Sequence, residues 1–91
     1  MRTVRTEVAA VLRFYGVTES VAASIAASTS KERLIDCVEY MLSKGRIVKD
    51  SASYLMAALK KNWNVPALDA FSREDRWQIL LVECAKGGLL T

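Results

Sequence analysis

Apolar and polar residues alternate along this chain with the period of a helix. Val4, Val8, Val11, Leu12 and Tyr15 recur at three- and four-residue steps, so one apolar stripe is expected on a first helix from about residue 2 or 3 to 15. Gly16 follows, a residue that can adopt the left-handed backbone of a helix exit. Thr18 is the expected cap of a short second helix, with Glu19 in its first turn and Val21, Ile25 and several alanines for close packing. The stretch "STSKERLIDCVEYMLSKG" carries the clearest pattern. Thr29 and Glu32 stand in capping-box register, Leu34, Ile35, Val38, Met41 and Leu42 form the stripe, and Lys44 with Gly45 marks the stop.

After the connector "RIVKD", Asp50 can cap a fourth helix from Ser51 to about Trp63. Tyr54, Leu55, Ala58 and Leu59 face inward and Met56 sits at the margin. Asn64 and Pro66 end it, since a proline disfavours helix at the residue before it. "ALDAF" is expected to be a linker with Phe71 buried. Ser72 and Asp75 then open a last helix over 72–86, whose apolar face is Trp77, Leu80, Leu81 and Cys84, widened by Ile79 and Val82. Gly87 and Gly88 end it, and "LLT" is either a frayed tail or a small apolar patch. The expectation is all-α: one domain over residues 1–91, a compact orthogonal bundle of about five short helices.

Composition limits the chemistry. With 91 residues, 52% of them hydrophobic, the chain can bury one modest core. No apolar run approaches the roughly 18 residues that span a membrane, and Glu7 and Arg13 interrupt the N-terminal apolar stretch, so no signal peptide is read and a cytoplasmic location is expected. There is no histidine. That removes the usual base for a serine or cysteine nucleophile and a common metal ligand. Cys37 and Cys84 are read as small buried side chains, and no metal, cofactor or catalytic residue is expected.

The net charge is +3, compatible with an anionic partner without requiring one. The regional bias is sharper. Between Tyr40 and Asn64 five basic residues, Lys44, Arg46, Lys49, Lys60 and Lys61, stand against one acid, Asp50. They could hold phosphates, or simply complement helix C-termini. The two groups lie at opposite ends of the fourth helix, roughly 15 Å apart at 1.5 Å per residue. Trp63 could stack on a base beside Lys60 and Lys61, whereas Trp77 belongs in the core. Sequence reading by the fourth helix in a helix-turn-helix arrangement is disfavoured, because its first turns are short of groove-reading side chains. Arg73, Glu74, Asp75 and Arg76 read as a solvated face of mixed sign.

Three pieces in order, "YGVTESVAASIA", "KERLIDCVEYMLSKG" and "KDSASYLMAALKKNW" followed by Pro66, resemble a small helical domain of bacterial plasmid replication initiator proteins. More distantly they are similar to the DnaD-type helical domain of primosome proteins. Gly16, Tyr40, Tyr54, Leu55, Leu59 and Trp63 match the pattern, while Asp50 and Ser51 stand where it has asparagine and proline. The resemblance covers about residues 12–66 and leaves out the final helix. It implies a non-catalytic, DNA-associated module in replication or its regulation, with Lys60, Lys61 and Trp63 at the contact and a replication or regulatory protein as a further partner. The alternative is a protein-interaction or homodimerisation module. Its motive is apolar surface beyond one core's need, at Ile79, Val82, Leu89 and Leu90.

Overall fold

The computed structural model describes residues 3–43, 51–61 and 70–90. These form five helices, α1 (Val4–Phe14), α2 (Glu19–Ala26), α3 (Lys31–Ser43), α4 (Ser51–Lys61) and α5 (Ala70–Lys86), with no strand among them. The chain is an all-α bundle with a Cα radius of gyration of 12.1 Å. α1 packs on α2, α3 and α5, and α3 packs on α4 and α5.

Local chemistry sets most boundaries. Thr3 is extended, and its hydroxyl accepts from the Thr6 N–H at 3.1 Å, which caps α1. Gly16 ends α1 at φ +101°. The Gly16 N–H donates to the Arg13 carbonyl at 2.9 Å and the Val17 N–H to the Leu12 carbonyl at 3.0 Å, a Schellman turn that drops Val17 into the core. α5 ends the same way at Gly88, φ +79°, with Leu89 N–H on the Cys84 carbonyl at 2.9 Å. That reversal lays Leu89 and Leu90 back on the core, so the terminal leucines are neither a frayed tail nor an outward patch.

Several boundaries and faces differ from expectation. Ser30, not Thr29, caps α3, its hydroxyl accepting from the Arg33 N–H at 3.2 Å, so the Thr29–Glu32 box does not form. Thr18 stands at the head of α2 without a side-chain cap bond. α2 buries Ala22 and Ala26, one turn apart, and leaves Val21 exposed; small side chains allow α2 to lie close to α1. Val4 is exposed at the head of α1. Leu42 is 54% exposed in the last turn of α3 although it is in register with Ile35 and Val38. α5 starts at Ala70, so Ser72 lies inside the helix and the Ser72–Asp75 box is absent. Phe71, expected buried, is 83% exposed. It precedes Trp77 by six residues, which at 100° per residue puts it about 120° away from the core face. The proposed caps and stops at Lys44, Gly45, Asp50, Asn64 and Pro66 lie outside the described residues.

The core centres on Trp77, the largest fully buried side chain, with Val8, Val11 and Leu12 of α1, Leu34, Ile35 and Val38 of α3, and Leu55 of α4. The Trp77 indole N–H donates to a Glu7 carboxylate oxygen at 3.4 Å, giving the buried ring a polar partner. Three of the four charges that open α5 pair across to α3, while Glu74, Asp75 and Arg76 stay exposed, so the solvated face of mixed sign also cross-links the two helices. Arg73 holds Asp36 with two bonds of 2.9 Å, Lys31 meets Glu74 at 2.8 Å, and Arg76 reaches Glu39 at 3.4 Å. The Asp36 fork is the strongest of these, because it is bidentate and its carboxylate is largely shielded.

Candidate nucleic-acid interface

Of the six residues expected at a phosphate contact, Lys44, Arg46, Lys49 and Trp63 lie outside the described residues. Lys60 and Lys61 are placed. They stand exposed on the last turn of α4, which is helical because Leu55, Ala58 and Leu59 bury one face against α3. The α4 C-terminus carries about half an elementary negative charge. Lys60 and Lys61 set positive charge against it.

A third cation joins them from another element. Arg33, on the first turn of α3, donates a guanidinium N–H to the Leu59 carbonyl and thereby caps α4. It borders a groove of about 520 Å³ lined by Ile25, Ser28 and Thr29 at the α2–α3 junction, by Arg33, and by Met56, Ala57, Leu59 and Lys60 of α4. Among the described residues this lining holds two cations, two hydroxyls and no carboxylate. Ser30 heads α3 beside Thr29, and the positive end of that helix dipole lies at the same junction. The Ser28 hydroxyl donates to the Ile25 carbonyl at 3.4 Å.

Two other hollows differ in charge. One, between Lys31, Arg73 and Trp77, contains Glu32 and Glu74, and its lysine and Glu74 are already bonded to each other. The other places Glu19 with Arg5 and Arg13. The groove beside Lys60 is therefore the one of these three whose cations face no acid in the lining. Arg33 was missed from the sequence. Its partner is 26 residues away, and an arginine in a helical first turn carries no local mark of such a contact.

Cys37 and Cys84 are buried thiols outside any disulfide. Burial is the main cause that pushes both thiols up, so they are protonated at neutral pH and poorly nucleophilic. The Tyr15 hydroxyl is pushed up to about 12, mainly by burial and then by the negative charge of Glu39. Among the described residues no cluster of three or more histidine, cysteine or acidic side chains could hold a metal. No helix among them is long and apolar enough to cross a membrane.

The residues expected at an oligomer interface separate into two groups. Ile79 and Val82 are 57% and 53% exposed on α5. Leu90 is 6% exposed and belongs to this chain's own core, with Leu89 half-buried against it. The expectation that all four form one outer face is thus corrected, and the Gly88 turn is the cause.

Fold and groove together define a small all-α bundle with a cationic cleft. No family model, curated protein or solved structure matches the chain.

Proposed function

We propose that the chain is a non-catalytic helical module that engages the phosphate backbone of DNA through the C-terminal end of α4 and the adjoining groove. The observation that carries this reading is the groove where Lys60 and Arg33 converge with the hydroxyls of Ser28 and Thr29, with no carboxylate among the described residues of its lining. Cations without competing acids suit a polyanion, because each neutralised phosphate releases condensed counterions. Lys60 and Lys61 hold phosphates, while Arg33 both braces α4 and adds positive charge. Lys44, Arg46, Lys49 and Trp63, outside the described residues, are further candidates for the contact on the sequence alone. Contacts of this kind position a protein on DNA and carry little base information. The likeness of residues 12–66 to helical domains of replication initiators supplies the process, replication initiation or its regulation, with a replication protein as a further partner.

The test is fluorescence anisotropy with a labelled duplex and a labelled single strand at about 50 and 200 mM salt. Binding is expected to weaken steeply between the two. In the Lys60→Ala/Lys61→Ala variant, the slope of log affinity against log salt on duplex DNA should fall by about 1.8, the loss of two phosphate contacts. Absence of binding by the wild-type chain at the lower salt, or an unchanged slope in the variant, refutes the reading. Arg33 is not the residue for this test, since its removal also uncaps α4.

A further inference from the structure

α5 is the longest helix, and it has a second face. Trp77, Leu80, Leu81 and Cys84 are buried on one side. On the other, Asp75, Ile79, Val82 and Lys86 follow one another at steps of four, three and four residues, and all four are exposed. At 100° per residue they fall within an arc of about 60°, a straight strip some 16 Å long. Steps of this kind make the seam of a two-helix pair. The strip is apolar in the middle and charged at its ends, negative toward the N-terminus and positive toward the C-terminus.

We infer that this strip is a contact with a second copy of the same chain, in which two α5 helices pair antiparallel about a two-fold axis passing midway between residues 80 and 81. That register is set by the sequence. Ile79 then faces the partner's Val82, and Val82 the partner's Ile79. Asp75 meets the partner's Lys86, and Lys86 the partner's Asp75. A two-fold contact demands such self-complementarity, since each pairing occurs twice. Parallel pairing would instead set Asp75 on the partner's Asp75 and Lys86 on the partner's Lys86, so the charges select the antiparallel arrangement. Lys86 is available for it. Its present approach to Glu83, 3.7 Å between two well-exposed groups, is a loose contact that holds it weakly. Phe71, 83% exposed one turn before Asp75, widens the strip at its N-terminal end. Three helical turns make a small interface, so the dimer belongs to the weak, concentration-dependent class.

Sedimentation equilibrium from about 10 µM to about 1 mM tests this. The mass should rise from 10.1 kDa toward twice that value with concentration. Ile79→Asp should return it to the monomer. Asp75→Lys and Lys86→Asp should each weaken association by about tenfold or more, because each sets like charges together at both ends. Combined, Asp75→Lys/Lys86→Asp should restore it to within about threefold of wild type. Far-UV circular dichroism of each variant at the concentrations used confirms that the fold is kept. A monomeric wild type at 1 mM overturns the inference and leaves the strip to a helix of a different chain. A dimer indifferent to Ile79→Asp, or a double reversal that fails to rescue, overturns it equally.

Discussion

Replacing Gly16 isolates how much the α1 exit contributes. Its φ of +101° lies where side-chain-bearing L residues are strained. An added Cβ would meet the Ala52 Cβ at 3.7 Å, ordinary contact distance, so space is not the obstacle. The cost of Gly16→Ala is then backbone strain of about 1–2 kcal/mol. The reduced freedom of alanine in the unfolded chain offsets about 0.4–1 kcal/mol of that. The net loss is about 1 kcal/mol, a fall in Tm of about 4–8 °C for a domain of this size. Gly88→Ala should cost about as much on the same arithmetic, because its φ is +79° and nothing lies within 4 Å of its added Cβ. The discriminating variant is D-alanine at position 16, introduced by chemical ligation. Its handedness fits positive φ, so only the unfolded-state gain remains, about 0.4–1 kcal/mol of stabilisation. Urea denaturation followed by Trp fluorescence reads all three variants. If D-alanine destabilises as much as L-alanine, the sign of φ does not govern the site and the reasoning fails.

Other outcomes follow from the same contacts. Asp36→Ala removes both bonds of the Arg73 fork and should cost about 1–3 kcal/mol in urea denaturation; a neutral result would show that the α3–α5 cross-link is not maintained in solution. The Glu74 carboxyl is held below its ordinary range by the Lys31 ammonium and then the Gln78 amide, and Lys31 is raised by its bond to Glu74. A depressed acid stabilises the fold above its unfolded value and loses that contribution as pH falls through the folded one; a raised lysine does so below its unfolded value and loses it as pH rises through the folded one. The gap in urea midpoint between wild type and Glu74→Gln should therefore be flat from mildly acidic to mildly alkaline pH and close in acid, and a gap that persists unchanged in acid would refute the pairing. Leu90→Ala should lower stability by about 2 kcal/mol or more, as for a buried leucine, without changing the dimerisation constant; the reverse pattern would return Leu90 to an interface. Cys37 and Cys84 should react with a disulfide reagent only as fast as the fold opens, and immediate labelling of the native protein would contradict their burial.

Helix number and the core faces were written locally. A periodic stripe identifies an amphipathic helix whatever it packs on, so the α1 face and the Trp77–Cys84 face were legible at once. Gly16 and Gly88 were legible too, because a helix exit at positive φ is a local backbone demand. The apolar excess of α5 at Ile79 and Val82 was visible for the same reason, as period-3.6 patterning on a second side.

Only the tertiary structure decided matters between distant residues. The start of α5 two residues earlier turned Phe71 outward, and the Gly88 reversal took Leu90 inward; neither is a property of the residue itself. The charged opening of α5 became a set of ion pairs because Lys31, Asp36 and Glu39 of α3 stand opposite it. Arg33 reached the end of α4 across 26 residues and shaped the groove beside Lys60. Periodicity fixes which side of a helix turns inward, since that depends on bonds four residues apart. Which side chains then meet depends on how the rods are set against each other, and no short stretch of sequence holds that information.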